Sequence, residues 1–177
     1  GGDVTTNSDT YFNVGGYFNY TGNSPHGPIG DNGGRVADTS NFVQSGSYYN
    51  NGINMGSNAG KATVNNTTFN IAGSGNGILI NSGINTNKVT GSTFNVTSGN
   101  GININSGGVT DVTSSVDKAS SFTVGNGNGI YAAAGTKLDN VTATFSITGT
   151  NSNGILKNTD ENTTVAGSTF TVGGTGS

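Results

Sequence analysis

Five copies of the tripeptide Asn-Gly-Ile, with glycines at Gly52, Gly77, Gly101, Gly129 and Gly154, constrain this chain more than any other feature. Their successive spacings are 25, 24, 28 and 25 residues. A fixed period in this range marks a solenoid, in which one repeat is too small to bury its own apolar face and must stack on its neighbours. A second marker keeps the same beat: Phe-x-Val/Ile at Phe69-Asn70-Ile71, Phe94-Asn95-Val96, Phe122-Thr123-Val124, Phe145-Ser146-Ile147 and Phe170-Thr171-Val172. A third is an aliphatic residue five positions before the phenylalanine, at Val64, Val89 and Val165, with Val116 and Val141 as counterparts displaced by one.

Most of these patches alternate apolar and polar residues, as in Ile102-Asn103-Ile104, the period-2 signature of a strand with one buried face. Ile78-Leu79-Ile80 departs from it. Glycine, asparagine and serine clusters between the patches supply turns. No window carries a 3.6-residue stripe, and glycine, at 32 of 177 residues, disfavours helix throughout. Each period is therefore predicted to be three short strands and three turns. About 25 residues at about 3.3 Å each trace a path of about 80 Å, enough for a three-sided coil. Successive coils would pair strand on strand, giving an all-β, right-handed parallel β-helix, or single-stranded β-solenoid, whose hand follows from the chirality of parallel crossovers. A leucine-rich repeat needs a Leu-x-x-Leu-x-Leu-x-x-Asn frame and a hexapeptide helix an apolar residue at every sixth position, and neither pattern is present.

In stacked coils, residues of one phase become columns. Asn51, Asn76, Asn100, Asn128 and Asn153 are predicted to form a side-chain ladder at about 4.8 Å, at a corner where asparagine tolerates left-handed backbone. The glycine after each suits a positive φ or a close approach of two backbones. Phe69, Phe94, Phe122, Phe145 and Phe170 are the predicted core column. An exposed amide ladder could also grip a sugar.

Residues 42–177 carry the regular repeat, and residues 1–41 are read as irregular N-terminal coils with a Pro/Gly loop at Pro25-His26-Gly27-Pro28. Phe12-Asn13-Val14 echoes the repeat there. Tyr11, Tyr17, Tyr48 and Tyr49 crowd the first fifty residues, and loops and tyrosines carried on a rigid solenoid make a candidate partner contact. The chain stops where the next Asn-Gly-Ile is due, so the repeats are expected to continue beyond it or to meet a neighbour end to end.

Only 8% of residues are charged, against about 25% in ordinary soluble domains, and a net charge of −3 gives no basic patch for nucleic acid. With no cysteine there is neither a disulfide framework nor a thiolate metal site. No apolar run is long enough for a membrane helix, so membrane insertion of this segment is not expected. No cofactor motif is present. Polysaccharide-cleaving β-helices need clustered carboxylates. Here the acids are dispersed, the best local pairs being Asp111 with Asp117 and Asp160 with Glu161, and His26 is the single histidine. An enzyme is not expected.

The Asn-Gly-Ile corners, Thr-Phe-x-Val strands such as Thr93-Phe94-Asn95-Val96, the absence of cysteine and the Gly/Asn/Thr/Ser richness resemble the passenger repeats of large type V autotransporter adhesins of Gram-negative bacteria. The resemblance covers residues 42–177 well. It implies a passenger that folds outside the outer membrane into an extracellular, cell-surface β-helical rod and presents adhesive regions to a host or neighbouring-cell protein or glycan. Alternatives are an ice- or carbohydrate-binding solenoid, built on the outward residues Thr68/Asn70, Thr93/Asn95, Ser121/Thr123, Thr144/Ser146 and Thr169/Thr171, or a filament subunit.

Overall fold

The computed structural model describes residues 4–6, 10–14, 36–37, 51–56, 61–81, 86–106, 109–114 and 119–176, and these form a parallel β-solenoid. The first coil contains β1 (Val4–Thr6), β2 (Thr10–Val14) and β4 (Asn51–Met55), with the short β3 (Val36–Ala37) between them in sequence. The second coil is β5 (Ala62–Asn65) and β6 (Thr67–Ile80), the third β7 (Thr86–Thr90) and β8 (Thr93–Ile104), and the fourth β9 (Val109–Thr113) and β10 (Ser120–Ala132). The fifth is β11 (Lys137–Val141), β12 (Ala143–Ile147) and β13 (Asn153–Lys157), and β14 (Thr164–Val165) and β15 (Thr169–Val172) begin the sixth. One sheet stacks β1, β5, β7, β9, β11 and β14; the other stacks β2, β6, β8, β10, β12 and β15, with β3, β4 and β13 attached. Every pairing is parallel except β2 with β3.

Register follows the sequence beat. Phe12, Phe69, Phe94, Phe122, Phe145 and Phe170 stand one above the next, as do Asn51, Asn76, Asn100, Asn128 and Asn153. The alternation decides which face is buried: in β8, Phe94, Val96, Ile102 and Ile104 point inward and are covered, while Asn95 and Thr97 point out. Ile78-Leu79-Ile80 obeys the same rule, with Leu79 half-exposed between two buried isoleucines.

Three features differ from the sequence expectation. The Phe-x-Val/Ile and Asn-Gly-Ile patches are not separate strands in the second, third and fourth coils; they run together as strands of 14, 12 and 13 residues. The ladder passes through the corner because Gly99 (φ 116) and Gly127 (φ 131) bend the backbone without leaving the pairing of Gly75 with Gly99 and Gly99 with Gly127. In the fifth coil, where Thr150-Asn151-Ser152 occupies the corner and Asn151 takes φ 52, the strand divides into β12 and β13.

The valine column is Val64, Val89, Val112, Val141 and Val165, so its fourth-coil member is Val112 and not Val116, which lies outside the described residues. That coil carries its extra residues between the valine strand and the phenylalanine strand, and counting back five from Phe122 misses the column. Finally, β2 pairs with the first half of β6 and β4 with its second half, although residues 15–50 separate β2 from β4 in sequence.

The phenylalanines stack face to face with centroids 4.6–4.9 Å apart and interplanar angles of 8° or less from Phe12 to Phe170. Phe12 to Phe145 are fully buried, each contributing about 1.5–3 kcal/mol by burial and about 0.5–1.5 kcal/mol more per stacked pair. Phe170, in the last coil, is stacked on one side and 44% exposed.

A buried hydroxyl column two residues before the phenylalanines, absent from the sequence reading, seals the opposite corner. The Thr67 amide donates to Ser92 Oγ at 3.1 Å, the Ser92 amide to Ser120 Oγ at 3.1 Å, and the Ala143 amide to Ser168 Oγ at 3.0 Å. Because Ala143 has no hydroxyl, the Ser120 amide turns to Ser114 Oγ at 3.3 Å instead. Asn66 (φ 47), Gly91 (φ 57) and Gly167 (φ 64) precede three of these residues and make the tight turn. Ser92→Ala strands the buried Thr67 amide, and urea denaturation is expected to show a loss of about 1–3 kcal/mol. An unchanged midpoint would show that water or another group already serves that amide.

Candidate functional site: an amide ladder and an uncharged face

The Asn-Gly-Ile corner does two things at once. Asn76 Nδ2 donates to Asn51 Oδ1 at 2.8 Å, Asn100 to Asn76 at 3.0 Å, Asn128 to Asn100 at 2.8 Å and Asn153 to Asn128 at 2.9 Å, each amide accepting from the coil above. The Asn76 backbone amide also donates to Asn51 Oδ1 at 3.1 Å. None of these asparagines has a positive φ; the described non-glycine residues that do are Asn66 and Asn151. The left-handed corner expected of the ladder is thus elsewhere, because strand backbone already holds the amides in register.

The glycine that follows serves close approach. A Cβ on Gly77 would lie 2.6 Å from the Gly101 carbonyl oxygen and 2.6 Å from the Phe94 ring, and one on Gly129 would lie 2.6 Å from both Gly154 O and Phe145. The two sequence markers share a beat because each glycine is the slot for the next coil's phenylalanine.

Asn100 both donates and accepts, and the ladder is partly buried, so Asn100→Ala leaves Asn76 Oδ1 and Asn128 Nδ2 short of a partner. The expected loss is about 1–3 kcal/mol by chemical denaturation. Asn95→Ala, which breaks an exposed amide pair with Asn70 (2.9 Å), should change stability by less than about 0.5 kcal/mol. Equal effects from the two would contradict a structural role for the ladder.

Outside the core, the valine strands and the phenylalanine strands differ in charge, and the second sheet's lysine, Lys157, lies at the end of β13. β7 and β11 of the first sheet carry Lys88, Lys137 and Asp139, and β9 carries Asp111. Asp111 Oδ1 accepts from the Asn140 amide and Nδ2 at 3.2 Å each, and Lys137 pairs with Asp139 at 3.3 Å. The phenylalanine strands β2, β6, β8, β10, β12 and β15 contain no Asp, Glu, Lys or Arg. Their outward positions form registered columns, Thr68, Thr93, Ser121, Thr144 and Thr169 beside Asn70, Asn95, Thr123, Ser146 and Thr171.

A groove of about 310 Å³ opens on this face. Ala72 supplies exposed carbon above the buried Ile71 and Val96, and Asn70, Asn95, Thr97 and Thr123 supply amides and hydroxyls, with Gly125 at one side. It lies beside a β-bulge: Ile71 pairs with Val96 but Ser74 with Ser98, so the second coil holds one residue more than the third at this point. Bulges of this kind re-aim side chains and recur beside functional sites.

No protein-family model, curated protein or solved structure matches the chain.

The remaining candidates are dispersed. Tyr11 lies in β2, in register with Ala37 and Thr68, whereas Tyr17, Tyr48, Tyr49, His26 and Asp117 fall outside the described residues. Asp160 and Glu161 are exposed beyond β13. Among the described residues no three His, Cys, Asp or Glu side chains are grouped to hold a metal, and no helix is long and apolar enough to cross a membrane.

Proposed function

We propose that this chain is a non-enzymatic structural and adhesive module of a secreted or cell-surface bacterial protein, a stalk or passenger segment of an autotransporter-type adhesin. The observation that carries the proposal is the continuity of the stacks: the same residue type recurs in the same column through coil after coil, phenylalanine inside and asparagine at the corner. Such repetition builds length and stiffness, since each coil is held by its two neighbours through side-chain and backbone ladders. A catalytic centre concentrates unlike groups at one place, and the side chains here are spent on likeness. The adhesive part rests on the uncharged outward face, which repeats amides and hydroxyls at coil spacing.

Beads coated with the refolded chain are expected to adhere to epithelial cells or to neighbouring bacteria several-fold above albumin-coated beads. Adhesion no better than albumin would contradict the adhesive half of the proposal.

A further inference from the structure

We infer that the groove beside the bulge, at Asn95, Thr97 and Thr123, is a binding site for a neutral glycan; this rests on the adhesive reading and names its ligand class. Charge excludes whole classes of ligand. The three strands that border the groove, β6, β8 and β10, carry no Asp, Glu, Lys, Arg or His, while Lys88, Asp111, Lys137 and Asp139 lie on the other sheet and Lys157 at the far end of β13, in register with Ala132 and away from the groove residues. An anionic polysaccharide, a phospholipid surface or nucleic acid would find no cation here to neutralise it.

The lining mixes carbon with hydrogen-bonding groups. Small-ligand sites combine mostly apolar walls with a few placed polar groups. This groove does so with Ala72 exposed as carbon surface over the buried Ile71 and Val96, and with Asn95, Thr97 and Thr123 exposed at its rim. A pyranose ring has the matching character, one face of C–H bonds and an edge of hydroxyls that both donate and accept. Asn95 is held in one orientation by its bond from Nδ2 to Asn70 Oδ1 at 2.9 Å, which leaves its Oδ1 as a fixed acceptor. Thr97 and Thr123 bring hydroxyls that rotate to donate or accept. At about 310 Å³ the groove is at the small end of ligand sites, the size for a short stretch of a chain and not for a folded domain.

The groove also sits at a local break in the strand pairing. Within a continuous strand pair of the phenylalanine sheet the register shifts between Ile71 and Ser74, and this shift falls at the wall of the groove. The lattice of outward amides and hydroxyls is interrupted where the groove opens.

The test is an array of neutral oligosaccharides built on glucose, galactose, mannose and N-acetylglucosamine, with heparin fragments as the anionic comparison, read with the wild type, Asn95→Ala, Thr123→Glu and Lys88→Ala. At least one neutral oligosaccharide should bind, at the same affinity in about 50 mM and about 500 mM salt, because no charge is there to screen. Thr123→Glu should weaken that binding tenfold or more and Asn95→Ala measurably, with melting unchanged in both, and Lys88→Ala should bind as the wild type does. Binding confined to heparin and lost in salt, neutral binding indifferent to Thr123→Glu, or no binding of any glycan would each overturn the inference. Beads that adhere to cells while the array stays blank leave the adhesive reading standing and remove only the glycan; a glycan bound by a chain whose beads do not adhere does the reverse.

Discussion

Phe94→Asp is expected to abolish cooperative folding of the coils on both sides of it. Phe94 is fully buried, with Phe69 and Phe122 stacked on its two faces at 4.6 Å each. Removing a buried phenylalanine costs about 3–5 kcal/mol, and a carboxylate buried without a partner adds several kcal/mol more. Against a total stability of about 5–15 kcal/mol this is most or all of it. Circular dichroism in rising urea should show either no folded baseline or a midpoint far below the wild type. Because neighbouring coils support one another, the damage should spread beyond the mutated coil, which hydrogen exchange at Val64 or Ile130 would register as lost protection. A melting curve equal to the wild type would refute the stacked core.

Gly77→Val is the second large effect. Its Cβ would lie 2.6 Å from the Gly101 carbonyl oxygen and 2.6 Å from Phe94 Cδ1. Neither neighbour can give way: Gly101 is in the ladder and Phe94 is clamped between two rings. A loss of about 3 kcal/mol or more is expected by guanidinium denaturation, at or above the usual range for overpacking. Gly135→Ala is the control. There a Cβ meets nothing within 4 Å, and the cost is the φ of +76 alone, about 1–2 kcal/mol. If Gly77→Val were no worse than Gly135→Ala, the Asn-Gly-Ile glycine would be conformational in role and the slot for phenylalanine would be disproved.

Much of the fold can be read from the sequence because a solenoid writes its third dimension as a period. Asn51 to Asn153 and Phe69 to Phe170 share a phase, and a shared phase is a shared column. Features that depend on local departures from the period are harder to see. Val112 escapes because the fourth coil places its extra residues before Phe122. The pairing of β2 with β6 escapes because 57 residues separate Phe12 from Phe69, more than two periods of sequence for one coil of rise. The fusion of two predicted strands in β8 and β10 depends on glycine torsions at Gly99 and Gly127, which composition does not reveal. The corner hydroxyls did leave a signal, Ser or Thr two residues before phenylalanine at Thr67, Ser92, Ser120 and Ser168, but threonine and serine are too common in this chain for it to stand out. The groove at Asn95 and Thr123 has no sequence signature, since it is made by residues of three coils and by a one-residue bulge.

One coil is the unit of construction of this protein, and any coil can be spared. Deleting residues 69–93 joins Thr68 to Phe94 and removes one period, since Thr68 and Thr93 occupy the same place in successive coils. The shortened chain should bring Phe12 onto Phe94 and fold as the wild type does, with the same circular dichroism band shape and a cooperative urea transition of proportionately smaller m-value. Deleting residues 69–80 instead, about half a period, should leave it unfolded. If the whole-coil deletion failed to fold, or the half-coil deletion folded equally well, the stacked repeating coil would not be what holds this protein together.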